Sequence, residues 1–438
     1  MRLASALALT AVLFVMNALP QTPAELAELW EREHVVKKPA SSLRVKDVIE
    51  QVEALRKLGI RVNEVGRSVA DRPIFQAEWG RGPLKVFMWS QMHGDEPTAT
   101  PVLFDMLTIF HNNRDKEWVK QIEEKITLRV VPMLNPDGAE LFIRRNLQGI
   151  DINRDAVDLK TPEGRLLKSL RDSWEPEIGF NLHNQNYLTT VGQTDKQAAI
   201  SFLVVFGDEA KTLTPGHERN MRLVAAMNQA LNQFIPGHIG RYGDEWTPTA
   251  FGDNFSAWGT PTILIETGGL HGRDEFYLAK MNFVAFVTAL RALADGSEAR
   301  FSPSTYEFIP RNSSRRIFYF IFRGATLIER GQPSEGKPTD IGVNIERRRA
   351  GLATPGFVRS AGDLRGVTGL EEFDVSGYNV IGRFNPIRAG TFADLLFYKK
   401  GRQVNWSSAE LETEFPPDAI FSLGKWLKGG EDIPRIKR

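Results

Sequence analysis

The sequence predicts an α/β fold, a mixed and mostly parallel sheet flanked by helices, followed by a second, β-rich C-terminal domain. Three observations predict it. Apolar runs at 84–90, 126–133, 178–182, 202–206 and 262–265 are short and continuous, as strands buried on both faces are. Between them stand longer stretches with apolar residues at helical spacing, such as TATPVLFDMLTIFHNN, GHERNMRLVAAMNQALNQF and DEFYLAKMNFVAFVTALRALAD. That alternation builds a sheet with helices on its faces. Beyond ADGSEARFSPS the chain turns to short β-type segments such as IFYFIFRG, TDIGVNI and GYNVIGRF, parted by glycine and proline turns.

Taken in order, MRLASALALTAVLFVMNALPQ has one arginine, an apolar run, then small residues and Pro20, the layout of a signal peptide over residues 1–20. Its apolar stretch is shorter than the roughly 20 residues a bilayer span needs, so export to a periplasm or the exterior is expected, with no stable span after cleavage. TPAELAELWEREHVV reads as a short helix with a threonine cap and proline in its first turn. VKDVIEQVEALRKL is a second helix, and VNEVGRSVADRPIFQAEWG alternates about turn residues as a pair of strands. The expected domains are 21–300, carrying the chemistry, and 301–438, the β-rich accessory domain.

Composition narrows the function. Lys and Arg number 55 against 54 Asp and Glu, so no net field draws the chain to nucleic acid. The sequence has no cysteine, which excludes disulfides, thiolate metal sites and a cysteine nucleophile. Any metal must rest on histidine and carboxylate.

Candidate ligands fall at strand ends. His93 and Glu96 in WSQMHGDEPTA follow the 84–90 run, His183 ends EIGFNLH and Glu266 ends PTILIE. Open α/β sheets place their ligand crevice at the C-terminal ends of strands. Glu96 precedes Pro97, a favoured first helical residue, which would set its carboxylate at a helix start. Two imidazoles and one carboxylate leave a tetrahedral zinc one open position, the arrangement of a hydrolytic site. Glu266, beside TGG, can move a proton without binding metal, and those glycines would let backbone approach a substrate.

The segment MLNPDGAELFIRRNLQGIDINRD, residues 133–155, carries NPDG, then Arg-Arg-Asn, then GIDINR, between HxxE and a later strand-end histidine. In that order the motifs resemble the zinc metallocarboxypeptidases of the carboxypeptidase A-like family, in a bacterial secreted form. The likeness covers roughly residues 45–295. It implies one Zn2+ held by His93, Glu96 and His183, with Glu266 as general base and proton shuttle. It also implies Arg144 on the developing oxyanion, Asn153 and Arg154 on the substrate's terminal carboxylate, Asp151 supporting His93, and Tyr242 as the family's active-site tyrosine. Arg145 is the alternative register for Arg144. Asp95 stands where digestive members have arginine, which reverses the charge there. The expected partner is a peptide, cell-wall peptides included, and Asp253 and Asn254 in FGDNFSAWGT suggest a polar pocket floor for a basic group.

Two other readings stay open. HGDE, DINR and LHN also resemble the aspartoacylase and succinylglutamate desuccinylase enzymes, zinc deacylases of N-acyl amino acids. A peptide-binding protein without turnover is the third. His34, His111, His217, His238 and His271 have no partner at metal spacing and read as surface or capping residues.

Overall fold

A computed structural model describes residues 22–331, 338–346 and 348–437; the leader expected at 1–20 lies outside them. The first layer is an eight-stranded sheet. Its strands are β1 (Arg61–Arg67), β2 (Pro73–Gly80), β3 (Leu84–Ser90), β4 (Ile126–Val131), β5 (Ile178–Asn184), β7 (Ile200–Val205), β8 (Ile239–Arg241) and β9 (Thr262–Thr267), with the short β6 (Thr190–Val191) paired elsewhere. The order is β1-β2-β4-β3-β5-β9-β7-β8. The central strands β4, β3, β5 and β9 run parallel, while β1–β2, β2–β4 and β9–β7 are antiparallel.

The period of two in β3 shows why these runs are apolar throughout. Val86 and Met88 point into a core shared with the helices α1 (Pro23–Glu33), α2 (Val45–Lys57), α3 (Ala99–Asn112) and α4 (Glu117–Lys125). Phe87 and Trp89 point the other way, onto Phe255. Between β4 and β5 the chain forms the short helix α5 (Pro136–Leu141) and then α6 (Pro162–Asp172), followed later by α7 (Pro215–Leu231), α8 (Phe251–Ala257) and α9 (Glu275–Asp295). The helix α9 is long and apolar enough to cross a bilayer, but two thirds of it is buried in the protein, where it packs on α7, α3 and α1. It is a core helix.

The end caps follow the sequence signals. Thr22 caps α1 in a reciprocal box with Glu25, and Thr214 caps α7. One expectation fails: α3 begins at Ala99 behind Thr98, so Pro97 is not its first residue and Glu96 lies in the turn before the helix. The reason is local, since Glu96 N–H donates to His93 C=O at 3.1 Å and closes a separate turn.

The second layer is an eight-stranded sheet made of β11 (Ile317–Ile328), β12 (Pro338–Ile345), β13 (Gly356–Gly362), β14 (Thr368–Asp374), β15 (Tyr378–Gly382), β16 (Leu395–Lys399), β17 (Ala419–Ser422) and β18 (Lys425–Lys428), around its own core of Phe322, Val343, Phe397 and Phe421. Residues 304–313 sit on the first layer. The turn α10 (Ser304–Glu307) buries Tyr306, whose hydroxyl accepts from Val204 N–H at 3.1 Å, and β10 (Asn312–Ser313) pairs with β6.

Candidate metal centre and cleft

Because β3, β5 and β9 are parallel neighbours, their C-terminal ends share one edge of the sheet. His183 and Glu266 are register partners there, and His93 enters from the turn after β3. That turn is built tightly. Gln91 takes a left-handed conformation (φ 52°), and its side-chain amide donates to Gly94 C=O at 2.9 Å. A Cβ on Gly94 would stand 1.9 Å from the carbonyl carbon of Gly138, so the turn after β3 needs glycine where it touches the NPDG loop.

The NPDG stretch is scaffolding for this turn. Asn135 Oδ1 accepts from Gly138 N–H and its amide donates to Met92 C=O. Asp137, fully buried, accepts from Ser68 Oγ and Ala70 N–H and pairs with Arg72, tying α5 to the β1–β2 turn.

The donor atoms converge. His93 Nδ1 lies 3.0 Å from Glu96 Oε1 and 3.1 Å from His183 Nδ1, and His183 Nδ1 lies 2.6 Å from Glu96 Oε2. All three residues are buried, and their ligand atoms lie within 4.8 Å of one another. On the far side of its ring, His93 Nε2 meets Asp151 Oδ1 at 3.0 Å, which assigns the ring proton to Nε2 and turns the Nδ1 lone pair inward. Two inward imidazole nitrogens beside a carboxylate are mutually repulsive acceptors unless a proton or cation joins them. The donor set therefore fits a tetrahedral zinc.

Arg144 comes from the loop after α5. Its Nε donates to Asp151 Oδ2 at 2.9 Å, and one terminal nitrogen lies 3.2 Å from Glu96 Oε1 and 3.1 Å from His93 Nδ1. Arg145 is exposed and donates to Gly149 C=O, so of the two arginines Arg144 is the one that reaches the cluster. Burial works to raise the pKa of Asp151, but the hydrogen bond from His93 and the charges of His93 and Arg144 outweigh it and hold the carboxyl well below its usual range.

Glu266 is buried, and its Oε2 has no hydrogen-bond partner among the described residues. Burial first and the Glu96 charge second push its pKa well above the carboxylate norm. The charge of Glu266, followed by burial, raises the Tyr242 phenol in turn.

The cluster opens into a cleft of about 400 Å3 whose walls include Asn153, Arg154, Tyr242 and Asp253. Asn153 Oδ1 accepts from Phe251 N–H at 2.9 Å, which orients its amide, and Arg154 is exposed. Asp253 accepts from Thr247 N–H and burial lifts its pKa to about 6.

Two sequence expectations are corrected here. Asn254 is absent from the cleft walls because its amide donates to Pro248 and Ala250 carbonyls. The glycines after Glu266 serve the chain itself, since a Cβ on Gly268 would lie 2.2 Å from Ala198 O and one on Gly269 2.6 Å from Tyr187 Cβ.

Sequence reasoning also missed wall residues. Gln185 and Asn186 follow the strand end that supplies His183, and Glu245 and Thr247 follow Tyr242. Proximity in sequence to a strand-end ligand was the available signal.

Residues 45–226 match the family model described as zinc carboxypeptidase. A probable carboxypeptidase 2 of Arthroderma benhamiae is 31% identical over 100 residues, 23% of this chain and 19% of that protein. Carboxypeptidase E of Caenorhabditis elegans is 31% identical over 118 residues, 22% of this chain and 25% of that protein. The chain thus spans only about a fifth to a quarter of the length of these relatives. Among solved structures, a metallo-carboxypeptidase of Burkholderia cenocepacia is similar at TM-score 0.47 and 17% identity, covering 57% of this chain and 69% of that one.

Proposed function

Because residues 45–226 match the zinc carboxypeptidase family model, we propose that the chain is a secreted zinc-dependent metallocarboxypeptidase that hydrolyses the C-terminal bond of a peptide. The observation that carries this reading is the convergence of His93 Nδ1, Glu96 and His183 Nδ1 beside Glu266, whose Oε2 has no hydrogen-bond partner among the described residues. Glu266 lies outside the matched segment; its place comes from its register with His183.

His93, Glu96 and His183 would hold the zinc, which when bound supplies Lewis acidity toward a carbonyl and toward water. Glu266 takes the proton of the attacking water and returns it to the leaving nitrogen, a task suited to a buried carboxyl whose pKa is raised. Arg144 is permanently charged and partly exposed to the cleft, so it can stabilise an oxyanion as it develops. Arg154 and the oriented amide of Asn153 bind the terminal carboxylate, the guanidinium in bidentate fashion. Asp253 offers a negative floor to a basic side chain, and the first twenty residues direct the enzyme out of the cytoplasm.

The carboxylate grip is tested with matched peptides ending in a free acid or an amide. Trimming of the acid alone, lost in Arg154→Ala, supports the exopeptidase reading. Equal cleavage of both, or release of acids from N-acyl amino acids without peptide trimming, rejects it.

A further inference from the structure

We propose that Arg349, delivered by the β-rich domain, is a positioning residue that sets Arg144 over the metal cluster. Arg349 is only 9% exposed, and its guanidinium donates to main-chain carbonyls of the first layer. One terminal nitrogen donates to Ala139 O at 2.8 Å and Glu140 O at 2.9 Å, and the other to Leu43 O at 3.2 Å.

Ala139 and Glu140 lie in the last turn of α5, where a helix runs out of its own amide donors; Ala139 C=O keeps only a long bond from Phe142 N–H at 3.3 Å. Arg349 supplies donors to them, as basic side chains do at helix ends. The helix then stops on Phe142, which takes a left-handed conformation (φ 57°) that a bulky residue adopts only when its surroundings hold it there. The Arg349 guanidinium stands 5.4 Å from the Phe142 ring centroid and braces it. Two residues later comes Arg144, with its bonds to Asp151, Glu96 and His93.

Residues on either side of Arg349 also bond to the first layer. Ile345 C=O accepts from the hydroxyl of Tyr187, four residues past His183, and Ala350 N–H donates to Ser41 Oγ at 3.0 Å. The second domain therefore fixes the stop of α5, and through it the direction of the arginine aimed at the reacting carbonyl.

The kinetic part of the test rests on the carboxypeptidase reading; the exchange part does not. Full-length Arg349→Ala, Arg349→Lys and Arg348→Ala are compared with the parent by kcat and KM on a C-terminally trimmed peptide and by amide hydrogen exchange over residues 142–150. Arg348 is a neighbour paired with Glu346 on the surface and serves as control. Arg349→Ala is expected to lower kcat about 10- to 100-fold, the scale of an ångström-level misplacement, with KM changed less than about threefold. Exchange at Ile143 and Asn146, whose amides donate to Gly138 and Ile150, should accelerate at least about tenfold.

Arg349→Lys keeps a donor but not the planar fork, so it should recover part of both effects. If Arg349→Ala does not fold, Arg349→Lys carries the test with intermediate values. Unchanged exchange over 142–150, or a kcat loss matched by Arg348→Ala, overturns the inference. If the parent trims no peptide, the carboxypeptidase reading fails and exchange alone decides the positioning role.

Discussion

His183 and Glu266 stand side by side as register partners at the ends of the parallel strands β5 and β9. One is a candidate ligand and the other a carboxylate whose Oε2 has no hydrogen-bond partner among the described residues, so the sheet itself sets the spacing between the proposed ligand and the proposed base. Glu266→Gln keeps the shape and removes the proposed base. It should retain stoichiometric zinc and lose about 10²–10⁴-fold in kcat, whereas His183→Ala should lose the zinc as well. Elemental analysis beside turnover separates the two.

Asp151 fixes the tautomer of His93 through a 3.0 Å contact and also accepts from Arg144. Asp151→Asn can no longer accept at both oxygens. Its zinc affinity should fall about 10- to 100-fold, the usual cost of removing a partner behind a ligand. Competition with a chelator of known affinity measures this directly.

Asp253 has its pKa raised to about 6 by burial. A carboxyl with a raised pKa is neutral below that value and charged above it. Preference for Lys or Arg over Leu at the cleaved end should therefore rise as pH increases through 6. Asp253→Ala should lose that preference, by roughly 10-fold or more for a partly desolvated ion pair, and its pH dependence. Competing peptides read by mass spectrometry across pH 5–8 check both outcomes.

Asp105 accepts from Val35 N–H at 2.7 Å, Val36 N–H at 3.0 Å and Trp30 Nε1 at 3.1 Å, so it docks the N-terminal arm on α3. Burial raises its pKa to about 6 against these bonds. The folded state then binds this proton more tightly than the unfolded chain. The stabilisation is full below the unfolded value near pH 4 and is lost as pH rises through 6, on the order of 2–3 kcal/mol. Asp105→Asn turns an amide toward Trp30, which should cost about 1–3 kcal/mol at neutral pH and flatten this part of the pH profile. Thermal unfolding at pH 5 and pH 7 measures both.

Much of this was legible in the sequence because buried strands and the polar residues at their ends leave local marks. The run at 84–90 coincides with β3, and His183 and Glu266 each close an apolar run that becomes a central strand. Contacts between distant segments were hidden. Nothing local tells that Asp137 pins the β1–β2 turn, that Gly268 packs on Ala198, or that Asn254 turns back to its own helix entry. Arg349 is the clearest case. In sequence it belongs to a charged run that reads as an exposed loop, yet its partners lie about 200 to 300 positions away at Ala139 and Leu43. Charge patterning sees composition, and only packing shows that a cation caps a helix.

The most direct measurement is mass spectrometry of a mixed peptide pool incubated with the purified protein, with a chelator, and with zinc restored, alongside Glu266→Gln. Loss of single C-terminal residues that stops with chelator, returns with zinc and is absent in the variant is the expected result. A pool left intact by a protein that binds zinc stoichiometrically, or trimming that persists in Glu266→Gln, would contradict it.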